Sequence, residues 1–308
     1  GERGQVGTFY VDIFDGDTVC GRVDCDAAAL NDKLYACQRK SPREFLSVAF
    51  EELTRQASVE SNNFSPALNI ALGFDEAKHV SYVADDAPGH MDYSQNRAWS
   101  CAVDVDNPIV LIQGPPGTGK TSVLENVVRT LAKSGKRILV AAPSNTAVDN
   151  ICRRCFDLPV LRFGGQRESM APDVADNCWI GENDNVSKFT RRREQLNGGG
   201  VYAGTHVGVL RNDLISADLK QNGLFDVIVF DEAGMARIDE FLMCIRMSKR
   251  AILFGDHQQL PPFPLPQGVL DRIDEEHGPL PKHLWSLLKK SALEWLESER
   301  KFPIVMME

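Results

Sequence analysis

The stretch Gln113 to Ser122, QGPPGTGKTS, decides how the rest of this chain is read. It fits the pattern G-x-x-x-x-G-K-[ST], with Gly114 and Gly119 framing a loop that Lys120 and Thr121 close. Just ahead of it, Pro108-Ile109-Val110-Leu111-Ile112 is a short apolar, β-branched run that reads as a buried strand, and from Val123 onward the apolar spacing is helical. Gly117 and Gly119 allow the loop to turn its N–H groups inward and approach an anion without a Cβ in the way, while the following helix offers its positive end. A polyphosphate is the natural occupant. Lys120 would reach its β- and γ-phosphates, and the Thr121 hydroxyl is placed to ligate a bridging magnesium ion.

Working outward, the next decisive piece is Phe225-Asp226-Val227-Ile228-Val229-Phe230-Asp231-Glu232. Four apolar residues in a row predict a central strand, and the two carboxylates at its carboxyl end fall where an open α/β sheet binds ligands. Asp231 is expected to hold the magnesium ion and Glu232 to orient and deprotonate an attacking water. Ala251-Ile252-Leu253-Phe254-Gly255-Asp256 is a further buried strand, and Asp256 and Gln259 just beyond it are candidates to sense the γ-phosphate.

Between these pieces, residues 136–142 read as a parallel strand that ends at Pro143-Ser144-Asn145-Thr146 and opens a helix. Hydroxyls, an amide and free N–H groups at such a point suit the backbone of a nucleic acid, and they equally suit an ordinary helix cap. Residues 158–163 and 201–206 predict two more strands, the latter with small and hydroxylic residues, among them Thr205, at its end. Ahead of the phosphate loop, Met91 to Val103 is helical in spacing and carries Gln95, whose amide offers the donor and acceptor that an adenine edge needs. Residues 284–296 predict a late helix, and Arg191-Arg192-Arg193 is the strong basic cluster of the chain. Before residue 90, residues 6–13 and 19–23 flank Asp15-Gly16-Asp17 as a β-hairpin, a helix is expected from Ser41-Pro42, and one short helix lies within 58–92.

With 308 residues, 43% of them hydrophobic and 25% charged, the chain can build a sizeable core. Its formal charge of −9 argues against a broad basic surface, so a nucleic acid would have to be held by a local patch or by backbone amides. The eight cysteines lack disulfide-scaffold spacing, which points to a reducing compartment, and Cys152 and Cys155 have no second ligand pair for zinc. No apolar run is long enough to span a bilayer and the start is not signal-like, so an intracellular place, cytoplasmic or nuclear, is expected.

The ordered series GPPGTGKT, APSNTAVD, DEAG and GDHQQLPP, within about residues 91–300, resembles the first motor domain of superfamily 1 helicases of the 5′→3′ branch, the group typified by the nonsense-mediated-decay RNA helicase. The resemblance implies a RecA-like parallel sheet flanked by helices over 91–308, preceded by a small β/α accessory region over 1–90. It implies ATP and Mg2+ as cofactors, with Gln95, Gly114, Gly117, Thr118, Gly119, Lys120, Thr121 and Ser122 around the nucleotide and Gln259 as coupling residue. It also implies that Ser144, Asn145, Thr146 and Thr205 touch single-stranded RNA or DNA, chiefly through sequence-independent contacts. Two departures stand out. Met235 occupies the place where the family usually has Gln, and the family's second RecA-like domain, with its transition-state arginines, is absent from the 308 residues, which are expected to be part of a longer protein. The alternative is a nucleotide-switched nucleic-acid binding or remodelling module without unwinding. A GTPase-type switch is disfavoured by the lack of an N-K-x-D tetrapeptide.

Overall fold

Short β-branched runs separated by helical segments must bury both faces of each strand, and the chain does so in one parallel sheet. The computed structural model describes residues 8–15, 18–24, 64–76, 88, 90–164, 167–180, 199–256, 258–262, 275, 278 and 288–308. The chain divides into two compact units, Gly1–Phe45 and Leu46–Glu308. In the first, strands β1 (Thr8–Asp15) and β2 (Thr18–Asp24) pair antiparallel as the expected hairpin, with a register shift between Val11 and Ile13. The helix expected from Ser41-Pro42 and the Arg191-Arg192-Arg193 cluster lie outside the described residues.

The second unit holds the sheet. In chain order its elements are α1 (Pro66–Leu72), α2 (Tyr93–Val103), β3 (Ile109–Gln113), α3 (Lys120–Lys133), β4 (Arg137–Ala142), α4 (Asn145–Arg154) and β5 (Val160–Phe163). There follow α5 (Pro172–Asn177), β6 (Trp179–Ile180), β7 (Gly200–Thr205), α6 (His206–Leu210), α7 (Asp213–Asn222), β8 (Val227–Phe230), α8 (Ile238–Ile245), β9 (Ala251–Gly255), α9 (Ala292–Ser298) and β10 (Ile304–Met306). The strands lie in the order β10-β3-β9-β8-β4-β7-β5-β6, and every pairing is parallel.

Alternation along each strand sorts the core into two layers. Ile138, Val140, Val229, Ile252 and Phe254 pack with α2, α3 and α4 on one face, while Leu139, Ala141, Phe230 and Leu253 pack with α1, α6, α8 and α9 on the other. Each fully buried large apolar side chain among them contributes about 1.5–3 kcal/mol. Helix α1 is pinned to this unit by Ser65, whose hydroxyl donates to Ile245 O at 2.9 Å.

Two strands were not expected from sequence: β6 beside β5, and β10, which pairs Ile304 with Leu111 through Met306 with Gln113 at the sheet edge. The late helix expected over 284–296 is interrupted within its described part, residues 284–287 lying outside the described residues. Ser291 Oγ accepts the Glu294 N–H at 3.1 Å and starts α9 at Ala292, so no single helix runs through residues 290–291, and α9 continues to Ser298. Because the strands are parallel and in register, their carboxyl ends share one rim: Gln113 lies opposite Gly255, Phe230 opposite Leu253, and Ala142 opposite Thr205.

Candidate nucleotide and strand-binding rim

The phosphate-loop candidate leaves β3 at Gln113 and is tied to the neighbouring strand by Gly114 N–H donating to Gly255 O at 3.3 Å. Thr118 closes the turn, its hydroxyl donating to Pro115 O at 2.9 Å. Gly119 then caps α3 with φ 83°, a left-handed conformation that favours glycine, and a Cβ there would stand 2.7 Å from Gln95 Nε2. Lys120 curls back into its own loop, donating to Gly114 O and to Pro115 O, the latter at 3.2 Å. Thr121 and Ser122 lie half-buried in the first turn of α3, and a cleft of about 450 Å3 opens between Thr121 and Asn150, Arg153 and Arg154.

Gln95 is fixed from two sides. Asp92 caps α2 by accepting the Gln95 N–H at 2.8 Å, and Gln95 Oε1 accepts the Asp92 N–H at 3.3 Å, a reciprocal capping box. Its Nε2 donates to Thr118 O at 3.1 Å, so the helix that carries this amide is stitched to the loop. One amide N–H and one lone pair stay uncommitted in these bonds, the donor and acceptor that a base edge would take.

At the end of β8, Asp231 continues the ladder by donating its N–H to Ala141 O at 3.0 Å. Its carboxyl is pushed up to about 6, first by burial and then by the charge of Glu232, against the pull of the Glu232 N–H and of the Lys120 ammonium. Glu232 is exposed and left-handed, at φ 53° and ψ 41°, an uncommon conformation for a side-chain-bearing residue. A short 3-10 turn, Ala233–Met235, follows, with Met235 N–H donating to Glu232 O at 2.8 Å. Beyond β9, Asp256 is buried and accepts the Gln258 N–H on its carboxylate at 2.9 Å, while exposed Gln259 donates its N–H to Asp256 O at 3.2 Å.

The other half of the rim lies at the ends of β4, β7 and β5. Ser144 is the N-cap of α4, accepting the Ala147 N–H at 3.1 Å, with Asn145 half-buried and Thr146 exposed in the first turn. Thr205 plays the same part for α6, accepting the Gly208 N–H at 3.1 Å. These caps sit side by side because Ala142 and Thr205 are paired. The end of β5 packs against them so closely that a Cβ on Gly164, at φ 80°, would be 2.9 Å from Gly208 Cα. Sequence reading missed Arg162 and Asp149, a fully buried pair beneath Asn145, although a lone arginine inside the strand Val-Leu-Arg-Phe requires such a partner.

The donor set suits a magnesium-bound polyphosphate. Asp231 and Glu232 crowd two carboxylates beside the Thr121 hydroxyl's loop, and the raised Asp231 carboxyl marks negative charge that a hard cation would relieve. The glycine turn and the Lys120 ammonium, which now satisfies itself on loop carbonyls, supply the complementary anion site.

Residues 90–190 and 183–265, more than half of the chain, match the family described as an AAA domain. The chain belongs to that family. Among its relatives, the ATP-dependent helicase NAM7 of Saccharomyces cerevisiae is 32% identical over 70% of this chain and 23% of its own length. The DNA replication ATP-dependent helicase/nuclease DNA2 of the same organism is 32% identical over 50% of this chain and 10% of its own length. The DNA-binding protein SMUBP-2 of Rattus norvegicus is 28% identical over 61% of this chain and 24% of its own length. The chain thus spans about a tenth to a quarter of the curated relatives it matches. Among solved structures, an ATP-dependent Type ISP restriction-modification enzyme bound to DNA overlays with a TM-score of 0.40 and 16% identity, over 55% of this chain and 13% of that one. Together with the motif series, the AAA-domain match places the chain with superfamily 1 helicases of the nonsense-mediated-decay helicase-like branch. Among the described residues, no helix is long and apolar enough to cross a membrane.

Proposed function

We propose that this AAA-domain chain is the first motor domain of an ATP-dependent helicase or translocase that moves on single-stranded RNA or DNA. The observation that carries the reading is the convergence on one sheet rim of the glycine loop after β3, the Asp231-Glu232 pair after β8, and the Ser144 and Thr205 caps after β4 and β7. Gly114, Gly117, Thr118, Gly119 and Ser122 form the cradle, Gln95 holds the adenine edge, and Lys120 exchanges its loop carbonyls for phosphate oxygens. Thr121 and Asp231 would hold Mg2+, which when bound neutralises charge on the phosphates. Glu232 orients and deprotonates the attacking water. Gln259 links the γ-phosphate to movement, and Ser144, Asn145, Thr146 and Thr205 line the path of the nucleic-acid backbone.

Full turnover in this reading needs arginines from a second RecA-like domain, whose contribution in comparable sites is about 10³–10⁵ in rate. We place the protein inside the cell, in the cytoplasm or nucleus. Met235 favours a second reading, because a thioether cannot make the polar contact to phosphate that would couple hydrolysis to movement, leaving a nucleotide-switched binding module. ATP hydrolysis by the full-length protein, with and without single-stranded RNA and DNA and beside Lys120→Ala, separates them. Stimulation by strand that K120A abolishes supports the motor; nucleotide binding with no stimulation supports the switch, and no nucleotide binding ends both.

A further inference from the structure

Arg162 sits in the middle of β5 with its side chain fully buried. Its Nε donates to Asp149 Oδ1 at 3.0 Å, its Nη1 to Phe163 O, and its Nη2 to Asn145 Oδ1 at 2.7 Å. The second Asp149 oxygen is also taken, accepting the Ala171 N–H at 2.8 Å. A buried guanidinium and carboxylate are no better for stability than a well-packed apolar pair of the same size. What they add is direction. A guanidinium only donates, so the Asn145 atom that meets it must be the acceptor oxygen, which leaves the amide N–H2 on the other branch of the side chain for a different partner. Asn145 is half-buried in the first turn of α4, between exposed Ser144 and exposed Thr146, so its side chain stands where the buried guanidinium meets the surface of the rim. The same guanidinium holds Phe163 O, the carbonyl next to Gly164, where β5 meets the start of α6 and the Thr205 cap.

We propose that Arg162 is a positioning residue for strand binding: clamped by Asp149 inside the sheet, it holds Asn145 Oδ1 so that the Asn145 N–H2 is offered to backbone phosphates of single-stranded nucleic acid. This rests on the strand-binding part of the function proposed above. Phosphate oxygens accept and never donate, so an amide free to flip would present the wrong end part of the time, and the buried cation removes that choice. Arg162→Lys keeps a cation for Asp149 but cannot fork to Asn145 and Phe163 O together.

The test measures binding of labelled oligouridylate and oligothymidylate to the full-length protein by fluorescence anisotropy, for wild type, R162K, N145A and the double variant. A lost charge-assisted hydrogen bond predicts about tenfold weaker binding for N145A and a similar loss for R162K. In the N145A background, R162K should then add less than about twofold, because the amide it positions is gone. Losses that multiply overturn the proposal, since Arg162 would then act on the fold at large, and so does an R162K protein that binds as wild type does. Should R162K not fold, N145D keeps Arg162 intact: the guanidinium takes one carboxylate oxygen and the other faces the strand, so N145D must bind more weakly than N145A, and equal or tighter binding overturns the proposal. A wild-type protein that binds neither oligonucleotide removes the strand-binding reading and this inference with it. Wild-type binding with N145A unaffected removes only the role of Asn145 and Arg162.

Discussion

Around the ends of β3 and β8, the half-buried Asp231 carboxyl is held up at about 6, its neighbour Glu232 carries left-handed backbone, and Lys120 spends its charge on the carbonyls of its own loop. Around the ends of β4, β5 and β7, Ser144 and Thr205 each cap a helix, and Asn145 leans on a closed Arg162-Asp149 pair. The nucleotide half of the rim is therefore short of a partner, and the strand half is finished before anything binds. The lesson is that substitutions should change function and stability in opposite senses on one half and in the same sense on the other.

The largest effect expected on the unfinished half is that of Glu232→Gln. Removing the proposed base from an otherwise intact site should cut strand-stimulated phosphate release by about 10²–10⁴-fold, with fluorescent-nucleotide affinity retained. A loss of only a few-fold would mean that another group takes the proton. Asp231→Asn comes next, and its sign is the sharper test. A carboxyl whose folded value lies above the usual 3.8 favours the fold below pH 4, and that contribution is lost as the pH climbs through about 6. At neutral pH the ionised group is thus a net cost, and the neutral amide should stabilise the nucleotide-free protein by about 1–3 kcal/mol while abolishing turnover. Thermal unfolding of the two proteins between pH 4 and 7.5 should show a gap that widens as the pH rises; a gap that closes would reverse the assignment.

How far each half was legible in the sequence follows from the same contrast. The nucleotide half works largely through backbone, and what it needs comes in two unbroken runs, the glycines and lysine in Gly114–Thr121 and the acidic pair in Asp231–Glu232. The strands between were legible because both their faces are buried, giving runs such as Ile138 to Ala142 and Val227 to Phe230. On the strand half, Ser144 and Thr205 could be read, but what orients Asn145 comes from Arg162, seventeen residues on, and is visible only when β5 lies beside β7. The edge strand β10 and the two-residue β6 have no pattern of their own and exist through pairing with β3 and β5. Apolar spacing ran through residues 284–296 without a break, yet the Ser291 cap restarts the helix at Ala292. A hydroxyl that accepts a backbone N–H outweighs periodicity there.

A smaller effect is expected at Met235, which carries the 3-10 turn behind the acidic pair. Met235→Gln supplies an amide where the family usually has one, and a net polar contact should raise strand-stimulated turnover by up to about tenfold. Turnover that stays level with strand present would favour the switch reading, in which this turn does not couple to the strand.

The smallest effect isolates what a finished group does. Ser144 Oγ accepts the Ala147 N–H at 3.1 Å, so Ser144→Ala should cost about 1 kcal/mol of stability through the lost cap. Ser144→Gly removes the same hydroxyl, yet glycine tolerates the cap position at a cost of only a few tenths of a kcal/mol. The pair therefore separates two jobs that one atom could hold. If the hydroxyl only caps, S144G recovers both melting temperature and affinity for oligouridylate. If it also donates to a phosphate, S144G melts close to wild type and still binds as weakly as S144A. The second outcome would show that even the satisfied half of the rim keeps one proton in reserve for the strand, since a capping hydroxyl accepts with its lone pair and has its O–H left to give.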